Sequence, residues 1–290
     1  MKLTTKPISI RHTWRNCLAI SFLLASSNLC SAALFAGVPG LSAGAQTSLV
    51  AHYDARSGVA TTGSTVDSWT PVDGNGAALP GMVTTNTGTG ASSLLTYDGS
   101  QTISFGDATG VTRRLNGTLS NSASASFTVF WKGFYDASAP FATSGTYAYN
   151  IGLSDISHQR DDGGGGFRVE MYNGTTYAGD DITAYDNTPT VWSTVITGSS
   201  HFAYANGTNL NLTGTPTNSV AANANIDIGA YSSSGYDFVG DMSDLIIFES
   251  ALSDADRGLV EAHLTNIPEP STTVLVGLCI LPLITRRRRE

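Results

Sequence analysis

The chain has 290 residues, of which 31 are glycine and only 13% are charged. Its three cysteines, Cys17, Cys30 and Cys279, all lie near the two ends, so the long middle part can have no disulfide, thiol nucleophile or cysteine-ligated metal. Residues 46–267 carry seven basic and 21 acidic residues, a net charge of −14, which excludes the basic surface that binds nucleic acid or anionic membrane.

The first segment has the order of a secretory signal peptide. Basic residues without any acidic one precede an apolar run from Leu18 to Leu29, which is too short to span a bilayer stably. Small residues then offer two cleavage points, after Ala33 or after Ala45. The second lies just before the first predicted strand, so residues 1–45 are assigned to the signal peptide. An uncleaved membrane anchor is the alternative.

Residues 46–266 are predicted to form one all-β domain. Short runs of β-branched and aromatic residues recur between clusters of Gly, Asn, Asp and Ser, which is typical of a sandwich or barrel. In the run that contains Trp131, alternate positions place large apolar side chains on one face, so Trp131 is predicted to lie in the core, as is Trp192 in a later run. The clearest predicted strands are 49–54, 102–105, 127–135, 147–153, 167–172, 191–197, 202–205, 226–230 and 239–248.

Three Asn-Gly pairs predict hairpin turns, because both central residues of a type I′ turn need a positive φ. The pairs are Asn116-Gly117, Asn173-Gly174 and Asn206-Gly207.

One short helix is predicted near the C-terminal end of the domain. Ser253 is its expected N-cap, with Asp256 at the third helical position. Leu259, Val260 and Leu264 would form its apolar side.

Several segments resemble the LamG-like, concanavalin A-type jelly rolls. The stretch from Phe238 to Asp254 is similar to that family's late signature, in which a glycine precedes a strand with paired acidic or polar residues and then a short helix start. Trp192 to Thr197, with the hairpin Phe202 to Thr208, resembles the family's central strand and its Asn-Gly turn. Trp69 to Gly76 is similar to a turn near the start of such domains. The resemblance spans most of residues 49–264 and implies a two-sheet antiparallel jelly-roll sandwich.

The acidic residues do not form the dyad of a glycosidase. Glucanases of this fold carry two glutamates around an aspartate on one strand, because retaining hydrolysis needs two carboxyl groups about 5 Å apart. The domain has only Glu170, Glu249 and Glu261, in no such arrangement. The nearest imitation is Asp241 with Asp244, whose odd separation predicts opposite faces of one strand. The histidines are isolated and no nucleophile elbow occurs, so we predict that the protein is not an enzyme.

Calcium is the expected ligand of the acidic residues, since it takes hard oxygen donors from carboxylates and loop carbonyls. Related jelly rolls hold Ca²⁺ with a late-strand aspartate, so the resemblance favours Asp241 or Asp244. The alternative is that these carboxylates are solvated turn residues. The candidates are Asp98, Asp241, Asp244 and the doublets Asp161-Asp162 and Asp180-Asp181.

Glycan binding would use exposed aromatic rings that stack on sugar faces beside polar groups. Tyrosines in loop-like or strand-end positions are the candidates, and packing at the rim of the sandwich is the alternative for each. They are Tyr172, Tyr177, Tyr185, Tyr231 and Tyr236.

The last 24 residues, 267–290, resemble the PEP-CTERM sorting signal. Pro268, Glu269 and Pro270 open the motif, an apolar stretch follows, and Arg286, Arg287, Arg288 and Arg289 close it. Arginines resist translocation, which places the domain outside the membrane. The apolar stretch makes a C-terminal helix shorter than a ~30 Å hydrocarbon core. Ile267, where valine is more usual, and Pro282, within the helix, depart from the pattern.

The sorting-signal resemblance implies recognition by a membrane-embedded exosortase after passage through the secretion machinery. It also implies removal of the tail and delivery to the cell surface or the extracellular polysaccharide matrix. An ordinary tail anchor is the alternative. We therefore predict an exported protein with a glycan-binding or adhesive module; a structural matrix protein without a specific ligand and a glycoside hydrolase are the alternatives.

Overall fold

The computed structural model describes most of the chain between residues 38 and 266. The gaps are residues 74–75, 88–89, 91, 98–99, 107–111, 138–145, 153–155, 162–167, 173–175, 213–218 and 232–236. Most of the predicted signal peptide, up to residue 37, and the whole predicted sorting tail with its hydrophobic helix lie outside the described residues.

The described residues form seventeen strands and two α-helices. Each predicted strand is found, with ends that differ by one or two residues. None of the described helices is both long and apolar enough to cross a membrane. The helices are α1 (Ala43–Thr47) and α2 (Asp254–Asn266). The strands are β1 (Leu49–Asp54), β2 (Val59–Thr62), β3 (Thr65–Trp69), β4 (Thr84–Asn86), β5 (Ser93–Tyr97), β6 (Ser100–Ser104), β7 (Leu115–Thr118), β8 (Ser126–Tyr135), β9 (Thr146–Ile151), β10 (Ile156–Asp161), β11 (Arg168–Tyr172), β12 (Thr176–Asp181), β13 (Thr190–Thr197), β14 (His201–Ala205), β15 (Thr208–Asn209), β16 (Asn225–Ile228) and β17 (Gly240–Phe248).

The strands pair antiparallel in two layers, which confirms the predicted β-sandwich. The first layer runs β1–β17–β8–β13–β14–β15. The second runs β3–β4–β7–β16–β9–β10–β11–β12. The hairpin of β5 and β6 joins the layers, because β6 pairs with the start of β17 and β5 pairs with β3.

The main core lies between the two layers. Trp131 and Trp192, both predicted as core residues, are fully buried there and stack with ring centroids 5.4 Å apart. Alternation along β8 sends Phe127 and Val129 to the same interior. Full burial of one such large apolar side chain stabilises the fold by roughly 1.5–3 kcal/mol, which makes this interior the main source of stability.

A second apolar cluster covers the outer face of the first layer. Val260 and Leu264 of α2 pack there on Phe130 and Ile246. The predicted helix is confirmed together with its cap, since the backbone N–H of Asp256 donates to the Ser253 hydroxyl at 3.1 Å. The helix therefore shields part of the outer face of the first layer.

The Asn-Gly pairs differ in what they do. Asn206-Gly207 joins β14 to β15 with positive φ angles of 48° and 80°, so that hairpin is confirmed. The hairpin predicted at Asn116-Gly117 is wrong, because the pair lies inside β7. A Cβ at Gly117 would stand 2.8 Å from the Val83 carbonyl oxygen, so glycine permits a close backbone approach instead. Asn173-Gly174 lies outside the described residues.

Candidate functional site

Asp241 and Asp244 point to the same face of β17, so the predicted opposite orientation is wrong. Asp241 pairs with Phe134 of β8, and Asp244 pairs with Lys132. These two partners stand two residues apart and therefore share a face. Ser243 is the extra residue of a β-bulge, which shifts the alternation of β17 by one position. Both carboxylates reach the outer face of the first layer.

Asp244 lies at the centre of a buried polar network. His52 Nε2 lies 3.0 Å from its Oδ1, Arg56 Nη2 donates to the same oxygen at 2.8 Å, and the Ser243 hydroxyl donates to Oδ2 at 2.7 Å. Arg56 also reaches Asp54 through Nε at 2.6 Å. Burial by itself would raise the pKa of Asp244, but the hydrogen bond with His52 and the charge of Arg56 outweigh it and lower that pKa.

His52, Asp54 and Asp244 meet the distance requirement of a metal site, because one donor atom of each lies within 4.8 Å of the others. Arg56, however, contacts both carboxylates and supplies the positive charge that a metal ion would supply. A calcium ion at Asp244 would have to displace this guanidinium. The network therefore fits an ion-pair connection between β1 and β17 better than a calcium site.

Asp241 belongs to a different feature, a row of side chains across four adjacent strands. Ser93 of β5 pairs with Ser104 of β6, Ser104 pairs with Asp241, and Asp241 pairs with Phe134. The row forms the floor of an open cleft of about 570 Å³ on the outer face of the first layer. The described residues that line it are Ser93, Leu95, Ser104, Gly106, Arg113, Phe134, Asp136, Asn187, Gly240 and Asp241.

The Asp241 carboxylate is largely buried among its neighbours. It is only 9% exposed, and burial raises its pKa. A hydrogen bond from Ser104 opposes this effect, while the charge of Asp136 adds to it. The Ser104 hydroxyl in turn accepts the backbone N–H of Gly106 at 3.3 Å. The cleft is therefore lined by a largely buried carboxylate.

The walls of the cleft combine polar and apolar groups. Arg113 donates from Nη1 to the Phe105 carbonyl at 3.0 Å, which fixes its guanidinium at the edge. Asn187 has a left-handed φ of 53° and accepts the Ala137 N–H at 3.1 Å, which orients its amide. Leu95 is 46% exposed. The cleft thus offers an exposed apolar surface beside carboxylate, amide and guanidinium groups.

The two predicted tyrosines with described side chains, Tyr185 and Tyr231, pack on other aromatic rings. Tyr185 packs edge-on against the buried Trp192 at 5.4 Å, and Tyr231 stacks on Tyr147 at 5.3 Å. Neither ring is among the described residues that line the cleft. Tyr172 and Tyr177 stand on β11 and β12, but their side chains lie outside the described part, as does Tyr236.

Among the other predicted calcium ligands, the described side chains of Asp180 and Asp181 do not line the cleft. Asp180 is exposed and accepts from the Asn211 amide at 2.7 Å. Asp181 accepts the backbone N–H of Thr183 at 2.8 Å, as a turn residue does. Asp161 ends β10 without a described side chain, and Asp98 and Asp162 lie outside the described residues.

Of the described residues that line the cleft, only Asp241 is a candidate from the sequence. Phe134 carried a usable signal, because an aromatic residue on the face of β8 opposite to Trp131 has no place in the main core. Asp136 and Asn187 lie about fifty residues apart in the sequence. Both line the cleft only because the fold brings their segments together.

No protein-family model and no curated protein matches the chain. Among solved structures, the receptor-binding domain of botulinum neurotoxin D is similar over 75% of this chain and 53% of its own, with 13% identity and a TM-score of 0.50. Domain 4 of an extracellular arabinanase from Geobacillus stearothermophilus, in complex with arabinotriose, is similar over 72% of this chain and 96% of its own, with 17% identity and a TM-score of 0.48. A sialidase of Trypanosoma rangeli is similar over 73% of this chain and 32% of its own, with 9% identity and a TM-score of 0.49.

The chain spans about half the length of the neurotoxin domain and about a third of the sialidase. At 13% identity the likeness to the neurotoxin domain shows a common β-sandwich fold.

Proposed function

We propose that this is an exported surface or matrix protein whose β-sandwich binds glycans in the outer-face cleft. The observation that carries the proposal is the row Ser93–Ser104–Asp241–Phe134 on the floor of that cleft. It sets a carboxylate between hydroxyl groups and an aromatic ring. A binding role is also compatible with the β-sandwich fold of a toxin's receptor-binding domain.

The groups of the cleft match the chemistry of a sugar. Hydroxyl groups of a glycan can donate to the carboxylates of Asp241 and Asp136 and accept from Arg113, and hydrogen bonds to charged groups contribute about 1.5–3 kcal/mol each. The apolar C–H face of a sugar ring can pack on the exposed Leu95. The cleft has a volume of about 570 Å³ and is open, so it has room for a short stretch of a glycan chain.

Export is the second part of the proposal. Support comes from the signal-peptide pattern before residue 38 and from the sorting motif that begins at Pro268. The absence of cysteine between Cys30 and Cys279 suits a domain that folds outside the cell without disulfide chemistry. Exosortase, the secretion machinery and extracellular polysaccharide are the proposed partners.

Calcium binding is proposed at Asp241 rather than at Asp244. The cleft supplies the oxygen donors that calcium prefers, from Asp241, Asp136, Asn187 and Ser104. At Asp244 the carboxylate oxygens already accept from three side chains. A calcium ion at the cleft would add a positive centre to which sugar hydroxyls can bind.

A glycan array tests the binding role. We expect the purified surface form to retain a defined set of oligosaccharides, and parallel arrays with Ca²⁺ and with a chelator show whether the metal takes part. A chain that binds no glycan in either condition would favour the alternative of a structural matrix protein.

A hydrolase is the second candidate, because two carboxylates, Asp136 and Asp241, share the cleft and burial raises the pKa of Asp241. Such a pair could divide acid and base roles. Incubation with each retained glycan, followed by analysis of reducing ends, separates the two functions: a binding module leaves the glycan intact, whereas a glycosidase releases new reducing ends.

A further inference from the structure

The residues just before β1 are packed into the folded domain. Val38 is 2% exposed, Leu41 8% and Ala45 3%, and all three belong to the second apolar cluster. Their partners include Val260 and Leu264 of α2. This segment, residues 38–47, packs into the same apolar cluster as the helix that covers part of the first layer.

Hydrogen bonds fix the same segment. The backbone N–H of Ser42 donates to Asp256 Oδ1 and its hydroxyl donates to Oδ2, both at 2.9 Å. Ser42 also caps α1, since its hydroxyl accepts the Ala45 N–H at 3.2 Å. Asp256 therefore joins the N-terminal turns of both helices, and its pKa is lowered chiefly by the backbone hydrogen bond from Ser42.

We infer that residues 38–47 are retained in the mature protein and that signal peptidase cleaves before Val38, after Ala33, rather than after Ala45. The inference rests on the proposed export. Both sites have small residues at the positions that signal peptidase reads. Cleavage after Ala45 would remove Val38, Leu41 and Ala45 from their cluster and both Ser42 donors from Asp256.

The contacts that α2 would lose favour cleavage after Ala33 over cleavage after Ala45. Without the segment, Val260, Leu252 and Leu264 would lose three apolar neighbours of their cluster, which costs stability. Asp256 would keep only the Ser253 hydroxyl and backbone contacts of its own turn. Cleavage after Ala33 leaves every one of these contacts intact.

N-terminal sequencing of the exported full chain tests the site. We expect the mature protein to begin at Leu34. A second chain carries Ala43→Lys, which blocks the alternative site at an exposed position; it should be processed at the same bond as the wild type. An exported protein that begins at Gln46, or loss of processing in Ala43→Lys, would overturn this inference alone. An exported chain that still begins at Met1 would overturn this cleavage but not the proposed export, whereas a chain that stays inside the cell would overturn the proposed export.

Melting midpoints of the full chain test whether residues 38–47 are part of the folded domain, and this test does not depend on export. Val38→Lys places a charge in the second apolar cluster and should lower the melting midpoint by several degrees. The matched variant Ala43→Lys, at an exposed position of the same segment, should melt like the wild type. Equal midpoints for Val38→Lys and the wild type would show that the segment is not part of the folded domain.

Discussion

The carboxylates of Asp241 and Asp244 share one face of β17 because Ser243 bulges between them, yet they serve different structures. Asp244 is tied into the network of His52 and Arg56, while Asp241 opens into the cleft. Bulges re-aim side chains in this way at the edges of functional sites. The single bulged residue thus places a structural carboxylate and a candidate binding carboxylate on the same face of the strand.

Arg56 is expected to stabilise the domain through Asp244. Arg56→Met removes the guanidinium from a carboxylate whose side chain is 2% exposed, and the loss of one partner of a buried pair costs about 3–5 kcal/mol. Urea denaturation measures the change in the free energy of unfolding. Arg56→Lys keeps the charge but cannot bridge Asp54 and Asp244 with a planar fork, so its loss should be smaller. A change within about 0.5 kcal/mol for Arg56→Met would contradict this role.

Stability should fall as the pH drops below 6.5, because burial lowers the pKa of His158 to about 3 and that of His201 to about 4. The folded state holds His158 neutral against Tyr135 and Trp131, while the unfolded chain takes up the proton from about pH 6.5 downward. Each such group lowers the free energy of unfolding by up to about 1.4 kcal/mol per pH unit in that window.

Urea titrations at pH 7, 6 and 5 measure this dependence. His158→Phe, which fills the same aromatic surroundings, should show a shallower loss than the wild type, with the remainder due to His201. Parallel profiles for the two proteins would exclude His158 as a source of the effect.

The sandwich was predictable because its central strands carry strong patterns. The strand of Trp131 alternates large apolar residues with others, and its burial follows directly. Strands such as β2 and β4, rich in threonine, were not identified, since their short polar runs look like loops until the sheet pairs them. The hairpin predicted at Asn116-Gly117 is wrong because glycine occurs where two backbone segments approach closely as well as in turns.

The candidate site was less predictable. The late signature drew attention to Asp241, but its direction depends on the bulge at Ser243, which no spacing rule reveals. Tyr185 and Tyr231 stand in loop-like sequence contexts, yet both rings pack on other aromatic rings. Pairing across β5, β6, β17 and β8 creates the cleft, and that pairing is a property of the fold.

Calcium binding at Asp241 predicts a specific gain in stability. Ca²⁺ at a hundredfold excess over its dissociation constant should raise the free energy of unfolding by ~2.7 kcal/mol if it binds only the folded state. Mg²⁺ should do less, since it demands a smaller octahedral site. Asp241→Ala should abolish the effect, whereas Asp254→Ala, at a side chain 90% exposed on α2, should keep it. An unchanged melting midpoint with Ca²⁺ would show that Asp241 is not a calcium ligand.

Processing of the tail should remove Arg286 to Arg289 from the surface form, because the apolar helix before them is short for a lasting anchor. Intact-mass measurement of surface-extracted protein detects this. Replacing Pro268, Glu269 and Pro270 with alanine should retain the precursor in the membrane, while Ile267→Val, a change toward the usual motif, should be processed normally. Surface protein that keeps its terminal arginines would contradict the sorting-signal interpretation.

The most direct test of the account is the affinity of the cleft for a glycan identified on the array, measured by titration calorimetry. Asp241→Asn keeps the size of the side chain but removes its charge, so the dissociation constant should rise about tenfold or more. Asp254→Asn, far from the cleft on α2, should bind like the wild type. Equal dissociation constants for Asp241→Asn and the wild type would contradict the assignment of the glycan site to this cleft.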